Sequence, residues 1–224
     1  MFRGSCLNKL YSGYLVVQAS ISCISLFLSE SRYRIMESES LKILLRNLAP
    51  FTEEELDGAM ERFFPESLSR NDFFCKAGRI ADRIAYVNSG VLRSFYLING
   101  KETTTFFQLP GSMAVALPSF LQLIPSQENI QALEDTELIV INRNELYQLY
   151  ENSWKWQQVG RILMEQYYIR LEEHMISLQS ETAIDRYQRL AIHSPEVIQS
   201  VQLQYIASYL GISPETLSRI RKTK

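Results

Sequence analysis

The chain has 224 residues, of which 46% are hydrophobic and 21% charged, with a formal net charge of −2. That length holds two small domains or one large one, and the composition excludes a disordered chain. The slightly negative total also excludes a protein that coats nucleic acid indiscriminately, because such binding works through excess positive charge.

Residues 1–35 differ from everything that follows. They carry Arg3, Lys9, Arg32 and Arg34 against Glu30, and an apolar run from Tyr14 to Leu28 broken by Gln18, Ser20, Ser22 and Ser25. A secretory signal has a basic start and a short apolar middle of this kind. A membrane-spanning helix needs about 20 mostly apolar residues, and this run is too short and too polar for one. The third reading is the one expected here: translation begins at Met36, directly before an amphipathic helix, and the leader is an upstream stretch joined to the gene. Cys6 and Cys23 fall in the leader, which leaves Cys75 alone in the remainder. A lone cysteine forms no intrachain disulfide, so a reducing, cytoplasmic setting without a membrane partner is expected.

From Leu41 to about Phe64 the spacing predicts helix. Leu41, Leu44, Leu45 and Leu48 make one apolar stripe ended by Pro50. Thr52 and Glu55 form a capping box for the next helix, with Phe51 and Leu56 as its hydrophobic staple. The acidic residues here are partners of a helix N-terminus rather than catalytic carboxylates.

Between Phe73 and Ile141 the period changes to that of strands. Runs over Ile84 to Val87, Val91 to Ile98, Thr103 to Gln108 and Glu137 to Asn142 are rich in β-branched and aromatic residues, with turn glycines at Gly78, Gly90, Gly100 and Gly111. Asn99-Gly100 is the preferred pair for a two-residue type I′ hairpin. Such regular turns predict an antiparallel roll or barrel. Pro118 to Asn129 reads as a loop with a short helix across the mouth of the roll.

A long helix follows from about Trp154 to Leu178. Trp156, Val159, Leu163, Tyr167, Leu171, Met175 and Leu178 recur at spacings of three and four, so the helix either crosses a whole core or pairs with a copy of itself. Thr182 and Asp185 cap a further helix, whose Ile184, Tyr187, Leu190 and Ala191 are expected to pack under the terminal segment. His193-Ser194-Pro195 ends it.

The last stretch reads as a helix-turn-helix. Leu203, Ile206, Ala207 and Leu210 form one apolar face, Gly211 ends the helix, Ser213 is an N-cap and Pro214 fits the first helical position. Leu217 and Ile220 face inward, while Glu215, Ser218, Arg219 and Lys222 share the outer side. Arg219 can pair with a guanine, Glu215 can accept from a cytosine amino group, and Thr216 or Ser218 can bond a base or a phosphate. Arg221, Lys222 and Lys224 add backbone charge. An ordinary α-hairpin shares the glycine turn, but the joint spacing and the polar outer face favour a DNA-binding motif. From Val201 onward the basic residues are Arg219, Arg221, Lys222 and Lys224 against Glu215 alone, so the positive charge sits where DNA would.

Roll, long helix and terminal motif occur in the order of the bacterial Crp/Fnr transcription regulators, which the chain resembles from about Leu41 to Lys222. The most specific stretch is Tyr205-Ile-Ala-Ser-Tyr-Leu-Gly-Ile-Ser-Pro-Glu-Thr-Leu-Ser-Arg-Ile-Arg221. The resemblance implies an α+β chain. A cyclic-nucleotide-binding-like antiparallel β-roll with its N-terminal helices spans 36–153, a dimerisation helix 154–179 and a DNA-binding domain 180–224. It implies a homodimer, duplex DNA and RNA polymerase as partners, and base-contacting positions at Glu215, Ser218 and Arg219, with Ser213, Thr216, Arg221 and Lys222 beside them. Pro214 departs from the family pattern, in which nucleotide-responsive members have an arginine, so the operator should differ.

The roll departs further. Members that bind cyclic AMP hold it with a Gly-Glu pair and a later Arg-Ser pair; this chain has Val115 and Ala116 for the first, and the second falls near Ser126-Gln127. Burying a phosphate diester without the arginine leaves its charge unpaired, so cyclic AMP is not expected to bind in the usual manner. An iron-sulfur cluster needs about four cysteines, and no haem ligand can be assigned, so no cofactor is expected. The roll then either holds an unknown small-molecule effector, contacted by Ser119, Ser126 and Gln127, or is filled by Met113, Leu117, Phe120 and Leu121.

An enzyme would need catalytic groups. His174 and His193 both lie outside the roll, and the chain has no P-loop, no GxSxG and no Cys-His pairing near Cys75, so neither a catalytic set nor a metal site is assigned. The alternative to a DNA-binding regulator is a ligand-binding roll that controls a protein partner.

Overall fold

The computed structural model describes residues 38–222. The chain divides into a unit Met1–Glu39 and a unit Ser40–Lys224. The readings of the leader, with the start at Met36 and with Cys6 and Cys23, lie outside the described residues, as does Lys224.

The second unit opens with a helix over 40–48 (α1), which buries Leu41 and Leu45 and stops before Pro50. Helix α2, Glu53–Met60, carries the expected capping box: Thr52 Oγ1 accepts from Glu55 N at 3.2 Å and Glu55 accepts from Thr52 N at 2.7 Å. It ends short of Phe64, because Phe64 already begins a strand.

Eight strands follow: β1 Phe64–Leu68, β2 Phe73–Cys75, β3 Arg83–Ser89, β4 Leu92–Ile98, β5 Lys101–Gln108, β6 Met113–Ala114, β7 Glu128–Ala132 and β8 Thr136–Asn142. They form two four-stranded sheets, ordered β1-β8-β3-β6 and β2-β7-β4-β5, with the antiparallel pairing the roll requires. At the hairpin between β4 and β5, Asn99 and Gly100 have φ of 51° and 77°, the positive pair of a type I′ turn. Helix α3, Leu117–Gln122, lies in the stretch expected to hold a short helix, but that stretch also contributes Glu128 and Asn129 to β7. Strands β1, β2, β6 and β7 went unforeseen because each is short, and β1 and β7 are also mostly polar, with Pro65 and Glu66 in one and Glu128, Asn129 and Gln131 in the other.

Leu92, Val87, Ile130, Leu138 and Val140 make the dry interior between the sheets. A second core joins α1 and α2 to β8 and to α4 (Arg143–Asn152), a helix the sequence reading passed over. Helix α5, Trp154–Ser180, has 27 residues and is about 40 Å long. Its seam has two fates. Trp156 and Val159 are buried in the second core, whereas Leu171, Met175 and Leu178 are exposed.

Helices α6 (Ala183–His193), α7 (Pro195–Ser200), α8 (Leu203–Tyr209) and α9 (Pro214–Lys222) complete the chain. Thr182 and Asp185 form the capping box of α6, and Tyr187 and Leu190 share a core with Ile206, Ala207, Leu210 and Leu217. Ile184, expected in that core, is 50% exposed instead, in the first turn of α6. Among the described residues no helix is long and apolar enough to cross a membrane.

Candidate functional site

The terminal motif is built by short-range rules. In α8, Ile206 and Ala207 are buried, and Leu210 closes the helix. Gly211 has φ of +68°, a backbone conformation that calls for glycine, and it lies against Leu178 of α5, whose Cδ2 would be 3.1 Å from a Cβ there. Ser213 Oγ then accepts from Thr216 N at 3.2 Å and caps α9. Leu217 is completely buried and Ile220 half-buried, which turns Ser213, Glu215, Arg219, Arg221 and Lys222 outward, with Thr216 and Ser218 half-exposed beside them. Arg219 Nη2 donates to Thr216 Oγ1 at 3.2 Å. A hydrogen bond from its own backbone N–H, another from Ser213 and the nearby Arg219 charge hold the Glu215 carboxyl below its usual range. The residues assigned to base and phosphate contact thus lie together on one exposed helix.

The seating of this motif was not legible beforehand. Arg93 on the outer face of the second sheet is fully buried, its guanidinium 4.0 Å from the Phe95 ring centroid and 3.7 Å from that of Tyr205 on α8. It pairs with Glu102. Ser208 Oγ accepts from Thr104 N at 2.9 Å and donates to Glu102 O at 3.0 Å. Tyr209 stacks on His174 of α5, with centroids 4.4 Å apart and planes at 12°, and meets Phe107 at 5.4 Å. Burial holds His174 neutral by lowering its pKa.

The inner face of the same sheet lines a cleft of about 380 Å³ closed by α4 and α5. Its walls are apolar, including Ile84, Phe106, Leu146, Leu163 and Tyr167, and the expected core residues Met113, Leu117, Phe120 and Leu121 line it without filling it. Three buried polar side chains stand in it: Ser94, Gln108 and Glu128. Gln108 Nε2 donates to Ser94 Oγ at 2.8 Å, the Ser94 hydroxyl bonds the Glu128 carboxyl, and Thr105 Oγ1 donates to Glu128 Oε1 at 3.3 Å. Thr105 reaches both Glu128 and Ser94 O because the pairing of β4 and β5 shifts by a residue there. Burial pushes the Glu128 carboxyl up to about 7 against the pull of those two hydroxyls.

The three residues assigned to the pocket from sequence do not line it. Ser119 Oγ accepts from Ala81 N at 2.9 Å and donates to Ile124 O at 2.5 Å; Ser126 Oγ bonds the backbone of Glu128; Gln127 is exposed. They shape the turn into β7. The groups that do face the cleft were missed, although in β7 Glu128 is in phase with the buried Ile130 and Ala132, a signal that alternation carries. Cys75 is buried and its thiol is pushed up by burial. Among the described residues no cluster of His, Cys, Asp or Glu is placed to hold a metal ion.

Two comparisons bear on this arrangement. Residues 65–153, which hold the roll, match the family model of the cyclic nucleotide-binding domain. Solved structures share the fold over most of the chain. FixK2 from Bradyrhizobium japonicum is similar with a TM-score of 0.61 at 21% identity, over 72% of this chain and 83% of that one. A protein assigned to the Crp/Fnr transcriptional regulators, from Eubacterium rectale, gives 0.61 at 16%, over 79% and 87%. CLP, a c-di-GMP-responsive global regulator from Xanthomonas campestris, gives 0.58 at 17%, over 75% and 89%. At these identities the likeness establishes the fold. No curated protein matches the sequence.

Proposed function

We propose that the protein is a sequence-specific DNA-binding transcriptional regulator, not an enzyme, that acts as a cytoplasmic dimer and reads DNA with α9. The observation that carries this is the exposed outer side of α9, where Glu215, Arg219, Arg221 and Lys222 stand on a capped helix whose other side is buried through Leu217. A recognition helix needs this combination of rigid seating and free polar edge. The similar fold of FixK2 and CLP supports the reading. Residues 36–153 serve as sensor, 154–179 as dimer helix and 180–224 as DNA-binding domain, with RNA polymerase as the further partner.

The dimer reading rests on α5. Met164, Tyr168, Leu171, Met175 and Leu178 recur at alternating steps of four and three residues and are all exposed, Tyr168 to 61% and Met175 to 52%. That is the seam by which two helices pair. Cyclic AMP binding in the usual manner is disfavoured by the cleft itself. Its deep end holds the Glu128 carboxyl, and the lining arginines, Arg161 and Arg170, are exposed residues of α5. A buried phosphate would lie unpaired beside an acid.

Selection of bound genomic fragments followed by sequencing tests the DNA reading. Enrichment of paired half-sites about 10 base pairs apart, with affinity falling steeply as salt rises, is the expected result. No enrichment would favour control of a protein partner. Met175→Glu places two unpaired charges in the dimer seam and should give a monomer by sedimentation; an unchanged dimer would move the interface elsewhere.

A further inference from the structure

The cleft is asymmetric in hydrogen-bonding character. The Ser94 hydroxyl has its proton directed to Glu128, so it can only accept from Gln108, which fixes the Gln108 amide with Nε2 toward Ser94. The Gln108 carbonyl oxygen is therefore left over, buried and without a hydrogen-bond partner, on a side chain only 8% exposed. Beside it stands the Glu128 carboxyl, 7% exposed, with Thr105 and Ser94 as its hydrogen-bond donors. With Glu128 ionised, the uncommitted oxygens of these groups are all acceptors. A buried acceptor left unmade costs free energy, and a ligand that donates recovers it.

The remaining walls are aromatic and aliphatic, and a cleft of about 380 Å³ lies in the range of small-molecule sites. We propose that it binds a small, mainly apolar molecule whose polar end is an amine, with the nitrogen donating to the Glu128 carboxylate and the Gln108 carbonyl oxygen. This deepens the reading of the roll as the sensor of the regulator and rests on it. An amine inverts the polarity of a cyclic phosphate, which needs buried cations where this cleft has acceptors.

The charge state of the deep end turns on Glu128. Of the groups that interact with it, burial pushes Tyr96 of β4 up to about 12 and raises Tyr167 of α5 and Cys75 of β2, so these stay neutral near pH 7. Arg170 lies at the exposed rim, and Arg161 is paired with Glu165. An ammonium group seated on Glu128 therefore prefers the ionised carboxyl, and its affinity should rise with pH through about 7.

The test uses the full chain without DNA and three probes of one shape: phenethylamine, 2-phenylethanol and 3-phenylpropionate, titrated by ligand-observed NMR at pH 6 and pH 8. Phenethylamine should bind at pH 8 at least about tenfold more tightly than 3-phenylpropionate, and about tenfold more tightly than at pH 6. Glu128→Gln should remove the amine preference and its pH dependence while 2-phenylethanol still binds, which shows an intact cleft. The proposal is overturned if the acid binds as well as the amine, if Glu128→Gln leaves the amine unchanged, or if no probe binds. Each of these leaves DNA selection by the same protein untouched, so loss of the proposed ligand and loss of the DNA reading are separate results.

Discussion

The two faces of the second sheet do opposite work with adjacent residues. On β4, Ser94 points into the cleft and Arg93 points out to α8; on β5, Gln108 stands in the cleft while the Phe107 ring meets Tyr209 of α8. The inner face leaves acceptors unmet inside apolar walls, which is what a ligand site requires. The outer face instead sandwiches a fully buried guanidinium between aromatic rings and ties α8 to the roll. The strands shared by both faces place the cleft and α8 on opposite sides of one sheet. Phe106 lies between them, since it lines the cleft and lies 5.7 Å from Tyr167 and 6.3 Å from His174, which stacks on Tyr209.

The largest expected effect lies on the outer face. Arg93→Ala removes a buried side chain and its two ring contacts and should cost roughly 3 to 5 kcal/mol in urea unfolding. Glu102→Gln should cost about 1 kcal/mol or less, because Glu102 is 46% exposed. Equal losses from the two changes would mean that the ion pair, and not the aromatic sandwich, holds α8.

On the inner face the expected effect depends on pH. The unfolded Glu128 carboxyl titrates at about 4.3 and the folded one at about 7. Below the lower value both states are protonated and stability is complete. As pH rises between the two values only the unfolded state loses its proton, so stability falls, by roughly 4 kcal/mol once pH exceeds about 7. Glu128→Gln should flatten this part of the profile. A wild-type stability that rises over the same window would show that Glu128 is ionised at no cost.

The smallest effect belongs to α9, the helix proposed to read DNA. Arg219→Ala should cost about 1 to 3 kcal/mol at one base pair and relax specificity there, whereas Lys222→Ala should weaken all sequences alike. Unchanged preference in the selection would remove Arg219 from base reading.

Local rules were legible in the chain and cooperative placement was not. The capping boxes at Thr52 and Thr182, the Asn99-Gly100 hairpin and the Gly211 turn each depend on a few neighbouring residues, and each stands where the sequence put it. The α5 seam was readable as a pattern, but its division between the second core and an exposed stripe was not, because periodicity reports a face and never its partner. The pocket was misassigned for a related reason. Ser119 and Ser126 have the chemistry of ligand contacts, but the turn's backbone claims both hydroxyls. Glu128 was passed over because a carboxylate in a polar stretch reads as solvated.

The sequence alone determined the succession of roll, long helix and terminal helix pair, and the outward residues of α9, since those follow from spacing, caps and glycine. Tertiary structure alone decided which polar groups are dry. Ser94, Gln108 and Glu128 come together from three strands, and Arg93 meets Tyr205 across more than a hundred residues. Burial and pairing at that range arise only when sheets and helices close on one another, and they set both the raised Glu128 pKa and the unmet acceptor beside it.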